Sequence, residues 1–406
     1  MQGTGQLTGT VKHYDWGGHS FIPALLGITA EAGTPYAEYW LGVHPQADCR
    51  VTGGAGAPVL LRDIINQQGE NVLGKEVFEQ FGTLPFLLKA LDVKQMLSIQ
   101  VHPSREEARK DFARENEAGI PLDSPQRNYK DDNHKPELMA AMGGFWLLHG
   151  FRPEAAMKQV LNEVPELQPL AAVFEQSGYQ GLYSHVMQLP QEQVNEQLQP
   201  LLDRIVPLYQ AGKLDKGTPD YWAARGALTF SGPGKTDRGI FSVYLFNLVR
   251  LEEGEAIFQD AGVPHAYLEG QNVEIMASSD NVLRGGLTTK HIDVKELLKH
   301  VKCEPTHPNI LKGIWSGPEK IYRTPAPDFE LSVFDLPAGG QASFMPHTTE
   351  ILLLVKGKVA VQGAQSEVIL KQGAPAAVVF PGAAIRIDAA EPALVFRATV
   401  PAAGGV

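Results

Sequence analysis

Glycine breaks and a two-residue apolar period run through the C-terminal part of this chain, and together they restrict it to short strands joined by tight turns. Phe329, Leu331 and Val333 alternate with their neighbours, as do Val359 and Val361, then Ile385 and Ile387. Gly357, Gly363, Gly373 and Gly382 punctuate them at roughly the 6–12 residue spacing of a sandwich or jelly roll. Strand texture also marks Phe145–Leu148, and again the stretch from Ile240, where Phe241, Val243 and Leu245 alternate with Ser242 and Tyr244. The segment from Arg152 to about Tyr221 is different. Pro153 can open a helix, and Met157, Val160, Leu161 and Val164 then follow helical spacing. Val194, Leu198, Leu201, Leu202 and Ile205 repeat that spacing, with Pro200 expected to kink or break the helix. Two further helices are expected: one after Ser104, whose pairing with Glu107 is a capping box, and one from Asp293 to His300. The expected fold is therefore mainly β with a helical insertion. It comprises a catalytic unit of residues 1–150 and 226–305, a helical insertion of 151–225, and a C-terminal jelly roll of 306–406.

Four segments carry chemistry. Tyr129–Glu137 places carboxylates, His134 and Lys135 beside an extended Lys-Pro-Glu, where Pro136 biases Lys135 away from helix. Lys135 and Glu137 then lie on one face of an extended backbone. Alone, such a run is a solvated polar loop. In Leu97–Pro103, Ser98, Gln100 and His102 alternate with Leu97, Ile99 and Val101, so Gln100 and His102 point the same way from one strand, as two metal ligands on a rigid element would. A histidine there is otherwise a plain polar-face residue. In Gln259–Gly270, a Gly-x-Pro turn delivers His265, and Ala266, Tyr267 and Leu268 continue as strand. That turn-then-His pattern recurs in metal-binding β-barrels of the cupin type; otherwise the His caps a hairpin turn. In Ser279–Asp293, two glycines beside Arg284 let backbone approach closely and leave the guanidinium free, with Lys290 as a second cation. The bland alternative is a solvated arginine in a glycine turn.

These segments, with Lys12–Gly17 and Leu84–Leu91, resemble the signatures of the type I mannose-6-phosphate isomerases, which are zinc-dependent and cupin-like. The resemblance runs from the N-terminus to about Cys303. It implies one zinc per chain on Gln100, His102, Glu137 and His265. It also implies Arg284 as the main catalytic arginine, with Lys135, His134 and Asp280 in the same pocket as proton-transfer candidates. Ser98, Lys89, Lys290 and Tyr267 are the expected substrate contacts. His13 and Asp15, where the family motif usually differs, are given no role. The implied reaction interconverts mannose 6-phosphate and fructose 6-phosphate through an enediol, within mannose and GDP-mannose metabolism. Aligning Gly262 with Gly382 puts Ile385 where His265 stands, so the C-terminal barrel is expected to be a second cupin without its metal, and His347 to be structural.

The net charge of −11 argues against a nucleic-acid partner. It also opposes a phosphate ester, so Lys89, Lys135, Arg284 and Lys290 are expected to supply positive charge locally. Two cysteines, no apolar signal core in Met1–Thr10 and no membrane-length apolar run suggest a cytoplasmic protein; the resemblance implies a sugar-phosphate partner, and a monomer or weak oligomer is expected. Two rival classes are a non-heme iron oxygenase using His102, Glu137 and His265, and a sugar-phosphate-binding protein with a structural metal. A fourth, neutral ligand and clustered cations distinguish the isomerase from the former; turnover distinguishes it from the latter. There is no glycine-rich nucleotide loop for a fused sugar-nucleotide transferase.

Overall fold

The computed structural model describes residues 3–53 and 57–402. Among them are a twelve-stranded, a nine-stranded and a four-stranded sheet, and the long strands are antiparallel. Ile351–Val355, an unbroken apolar run, shows how they stack. Ile351 and Leu353 join a core with Leu88, Ala90 and Ile275 of the twelve-stranded sheet. Leu352 and Leu354 join one with Val359, Val361, Ile385 and Ile387 of the four-stranded sheet. Successive side chains point to opposite faces of a strand, so a strand buried on both sides loses the alternation an exposed one shows.

The organising strand of the catalytic half is His265–Ala277, 13 residues long. Along its length it pairs with Phe86–Val93, Glu137–Ala141, Phe145–Phe151 and, at His265, with Gln100 of Ile99–Val101. Leu283–Gly286 pairs with the other edge of Ile99–Val101. The expected metal-binding segments are therefore neighbours in one sheet although their sequence positions lie far apart.

Several expectations need correction. Ile240–Leu245 is not a strand: Gly239–Leu245 is a helix with every residue buried, and the strand begins at Phe246. In a run buried on all sides, periodicity does not separate helix from strand. The helical segment accordingly continues past 225, through Pro219–Phe230 and Gly239–Leu245. Pro200 does not break its helix: Gln191–Gln210 carries both Pro200 and Pro207 inside it, with its apolar face buried. The unit boundaries are also crossed. Thr4–Thr8 pairs with Ala376–Val379 and with Arg50–Thr52, placing the first strand in the sheet of the C-terminal segment. The capping box at Ser104 and Glu107 is present and opens Arg105–Glu117, and Asp293 caps Val294–His300. No helix of the described residues is long and apolar enough to cross a membrane.

Candidate metal centre and substrate cavity

The sheet register sets the site. Arg284 stands opposite Gln100 on one side, and His265 stands opposite Gln100 on the other. Directly paired residues project to the same face, so a guanidinium, a carboxamide and an imidazole form one row. Glu137 opens its strand and stands opposite Gln259. Its two carboxylate oxygens lie 3.4 Å from His102 Nε2 and 3.3 Å from His265 Nε2. One ligand atom from each of the three residues falls within 4.8 Å of the others, and all three residues are buried.

The ring orientations are fixed from behind. His102 Nδ1 lies 2.8 Å from the Asn281 carbonyl and His265 Nδ1 lies 3.0 Å from the Val263 carbonyl. Each Nδ1 is therefore assigned the proton, and each Nε2 lone pair faces the carboxylate. Burial pushes the His102 pKa down to about 4 against the opposing pull of Glu137, so its ring is neutral at physiological pH. His102 Nε2 is buried with no hydrogen-bond partner. Two lone pairs aimed at an anion repel it, and a divalent cation between them turns all three contacts attractive. The donor set fits a metal held by two neutral imidazoles and a carboxylate, with imidazole orientation set by carbonyls. Although burial opposes it, Lys135, 3.1 Å from Glu137 Oε1, holds the Glu137 carboxyl well below its usual range.

Glu137 and His265 of this trio close the inner end of a cavity. A small chamber of about 70 Å³, lined by Gln100, Glu137, His265, Tyr267 and Glu274, shares Glu38, Lys89 and Lys135 with a larger cavity of about 750 Å³. Ser98, Asp280, Arg284 and Lys290 line the larger one. Of the expected site residues, His102 lines neither chamber but stands behind Glu137, which does, and His134 lies elsewhere. Its Nε2 lies 2.8 Å from Asp328 Oδ2 and 2.6 Å from Arg105, and it lines neither chamber. Proline at 136 makes the backbone extended, so His134 and Lys135 face opposite ways.

The expected cluster of four cations divides in two. Lys89 Nζ is 3.0 Å from Glu274 and 3.6 Å from Glu38, and Lys135 is paired with Glu137. Burial would lower the Lys89 pKa, but Glu274, Glu38 and Glu137 outweigh it and push it up, so it is held as an ammonium. Arg284 and Lys290 have no carboxylate within ion-pair distance among the described residues. Burial lowers the pKa of both, and for Lys290 the neighbouring Arg284 adds to this. Lys89, Lys135, Arg284 and Lys290 face Asp15, Glu38, Glu137, Glu274 and Asp280 across the two chambers. The side chains alone thus give no positive excess, and a dication is what tips the balance.

Glu38 and Glu274 were not singled out from the sequence. Their signal was a charge inside an apolar strand, Glu274 between Val273 and Ile275, which demands a buried partner. Lys89, directly across the ladder, is that partner. Tyr267 donates to Glu274 at 2.8 Å. Asp280 lies 3.4 Å from His44, whose hydrogen bond, with its charge, lowers the Asp280 carboxyl although burial acts the other way. His13 and Asp15, given no role above, both line the larger cavity.

Residues 5–154 match the family model for the catalytic domain of type I phosphomannose isomerase. Mannose-6-phosphate isomerase of Salmonella typhimurium is 38% identical over 379 residues, covering 91% of this chain and 93% of that protein. The chain belongs to the type I phosphomannose isomerases. The Homo sapiens mannose-6-phosphate isomerase is 34% identical over 430 residues, with 97% of each chain covered. The resemblance therefore extends well past Cys303, through the C-terminal sheets. The Salmonella typhimurium isomerase bound to fructose 6-phosphate and zinc superposes with a TM-score of 0.87 at 33% identity, covering 99% of this chain and all of that one. A mannose 6-phosphate isomerase bound with zinc and yttrium gives the same TM-score. Cupin-like architecture and isomerase chemistry are thus the family's, and the oxygenase and binding-protein alternatives fall away.

Proposed function

We propose that this chain interconverts mannose 6-phosphate and fructose 6-phosphate, with zinc held by His102, Glu137, His265 and Gln100. The observation that carries this reading is the row Arg284–Gln100–His265 beside Glu137, facing one cavity. When bound, zinc supplies a Lewis acid for the sugar's carbonyl and hydroxyl oxygens. The carboxamide of Gln100 adds a donor without adding negative charge. Arg284 offers a fixed, uncompensated charge where negative charge develops as the proton moves between C2 and C1. Lys135 orients Glu137 and donates toward the sugar. Of the three side-chain candidates for proton transfer, a zinc-bound water being the fourth candidate, His134 is set aside by its position, which leaves Lys135 and Asp280 lining the cavity. Asp280 is held as a carboxylate by His44 and accepts from a sugar hydroxyl. The phosphate lies at the outer end, where Lys290, Thr288 and Ser98 line the wall. The phosphate is remote from the reacting carbons C1 and C2, so binding energy from it supports the chemical step.

The test is metal analysis of the purified protein with a coupled assay in both directions. Stoichiometric zinc, turnover of both sugar phosphates and very poor turnover of free mannose are expected. Zinc-loaded protein that turns over neither phosphate would refute the reading.

A further inference from the structure

The second of the two glycines after Arg284 serves a contact that the sequence did not identify. A Cβ on Gly286 would sit 2.3 Å from Gly239 Cα, and one on Gly239 would sit 2.5 Å from the Leu287 nitrogen. What approaches the chain here is the start of the helix Gly239–Leu245, the last helix of the extended helical insertion. Immediately afterwards Leu287 takes φ 52°, the one non-glycine residue at positive φ among the described residues. That conformation is disfavoured for any residue carrying a Cβ and persists where the surroundings impose it. Two features impose it. The Leu287 side chain is fully buried, close to Gly226 of the helix Pro219–Phe230. The buried carboxylate of Asp237 gathers three backbone N–H groups, from Gly239 at 2.7 Å, Leu287 at 2.8 Å and Thr288 at 3.1 Å. Successive N–H groups converging on an anion make a nest, and here the anion is the protein's own.

Thr288, Thr289 and Lys290 leave this turn along the wall of the larger cavity, whereas Asp237 does not line it. We infer that Asp237 is a positioning residue: it fixes the left-handed Leu287 turn and so aims Thr288–Lys290 at the substrate's phosphate. This assigns the helical insertion a part in catalysis, since it supplies both the carboxylate and the packing that hold the turn. The inference rests on placing the phosphate beside Lys290.

The experiment compares Asp237→Ala and Asp237→Asn with wild type and with Lys290→Gln, all zinc-loaded. Asp237→Ala should raise KM for mannose 6-phosphate by about tenfold or more, given what small misplacements of a binding group cost. It should also reduce the preference for mannose 6-phosphate over mannose. Asp237→Asn keeps one acceptor and sets an NH₂ against the remaining N–H, so it should show the same changes to a smaller degree. Zinc content should stay at the wild-type level. A substitution that merely loosens the fold lowers the active fraction and the apparent kcat, but leaves KM and substrate preference where they were. Wild-type KM and preference in the Asp237 variants would overturn the inference, and if the Ala variant does not fold, the Asn variant decides. Lys290→Gln separates the two ideas: a raised KM there keeps the phosphate beside Lys290 even if Asp237 proves silent, and an unchanged one removes it.

Discussion

His102 and His265 owe their reach to backbone carbonyls. The Asn281 carbonyl holds His102 Nδ1, and the Asn281 side chain is tied in turn to Asp131 and Asn133. Replacing His265 by Ala leaves only Gln100, His102 and Glu137, and zinc should be lost together with turnover. A His265→Ala protein retaining stoichiometric zinc by elemental analysis would remove it from the ligand set. Asn281→Ala should be milder, because the carbonyl remains and only its anchoring loosens. An affinity loss on the order of 10–100-fold is expected, measured by competition with a chelator. Arg284 belongs to a different class of effect. With no carboxylate to neutralise it, its charge is available to the reacting oxygens, so Arg284→Ala should lower kcat by about 10²–10³ with little change in KM. Normal kcat with a greatly raised KM would instead move Arg284 to the phosphate.

Elements are joined around the site by buried charge as well as by apolar contact. Tyr129, at the start of the segment that delivers Lys135 and Glu137, donates to Glu296 at 2.7 Å. Its hydroxyl also lies 3.3 Å from Asp111 of Arg105–Glu117. Arg114 stands 3.0 Å from Glu296. The Tyr129 hydroxyl thus sits among Asp111, Glu296 and His300, a group whose ligand atoms are close enough to suit a metal, and it fills that centre itself. Burial works against Glu296 ionising, but His300, Tyr129 and Arg114 prevail and hold its carboxyl far below the ordinary 4.5. A depressed carboxyl stabilises the fold fully above its unfolded value, and that contribution is lost as pH falls toward the folded one. Glu296→Gln should therefore lower Tm most at neutral pH, and the gap from wild type should narrow as pH drops below 4.5. A gap that is constant across that range would show that the carboxylate's charge is immaterial. The sequence displayed only part of this level. The capping box was legible because it is local, and so were the amphipathic helices. The helix Gly239–Leu245 was not, because burial on every side erases the period that names an element.

Across the whole molecule, the residues His102, Glu137, His265 and Arg284 could be picked out from spacing plus a resemblance, because each lies on a strand or at its end: Glu137 and Arg284 on short strands, His265 opening a long one, and His102 directly after Ile99–Val101. The Asp237 clamp and the Lys89–Glu274 pair could not, since each depends on which segments become neighbours. The same limit applies to the division into units. Residues 306–406 have the alternation of a self-sufficient jelly roll, yet Ala376–Val379 is paired on one edge by Glu350–Lys356 and on the other by Thr4–Thr8. Leu7 and Val51 sit in the same core as Ile351, Leu353, Ala376 and Val378, together with residues of the twelve-stranded sheet. Cut free at 306, the segment would expose that apolar face and an unpaired edge, which together template association with another chain. The fragment 306–406 expressed alone should self-associate or precipitate, and sedimentation velocity would show it. Joining residues 3–53 to it restores an edge strand but not the twelve-stranded sheet, so solubility should improve only in part. A monodisperse 306–406 monomer with a cooperative melt would show that the C-terminal sheets stand without Thr4–Thr8.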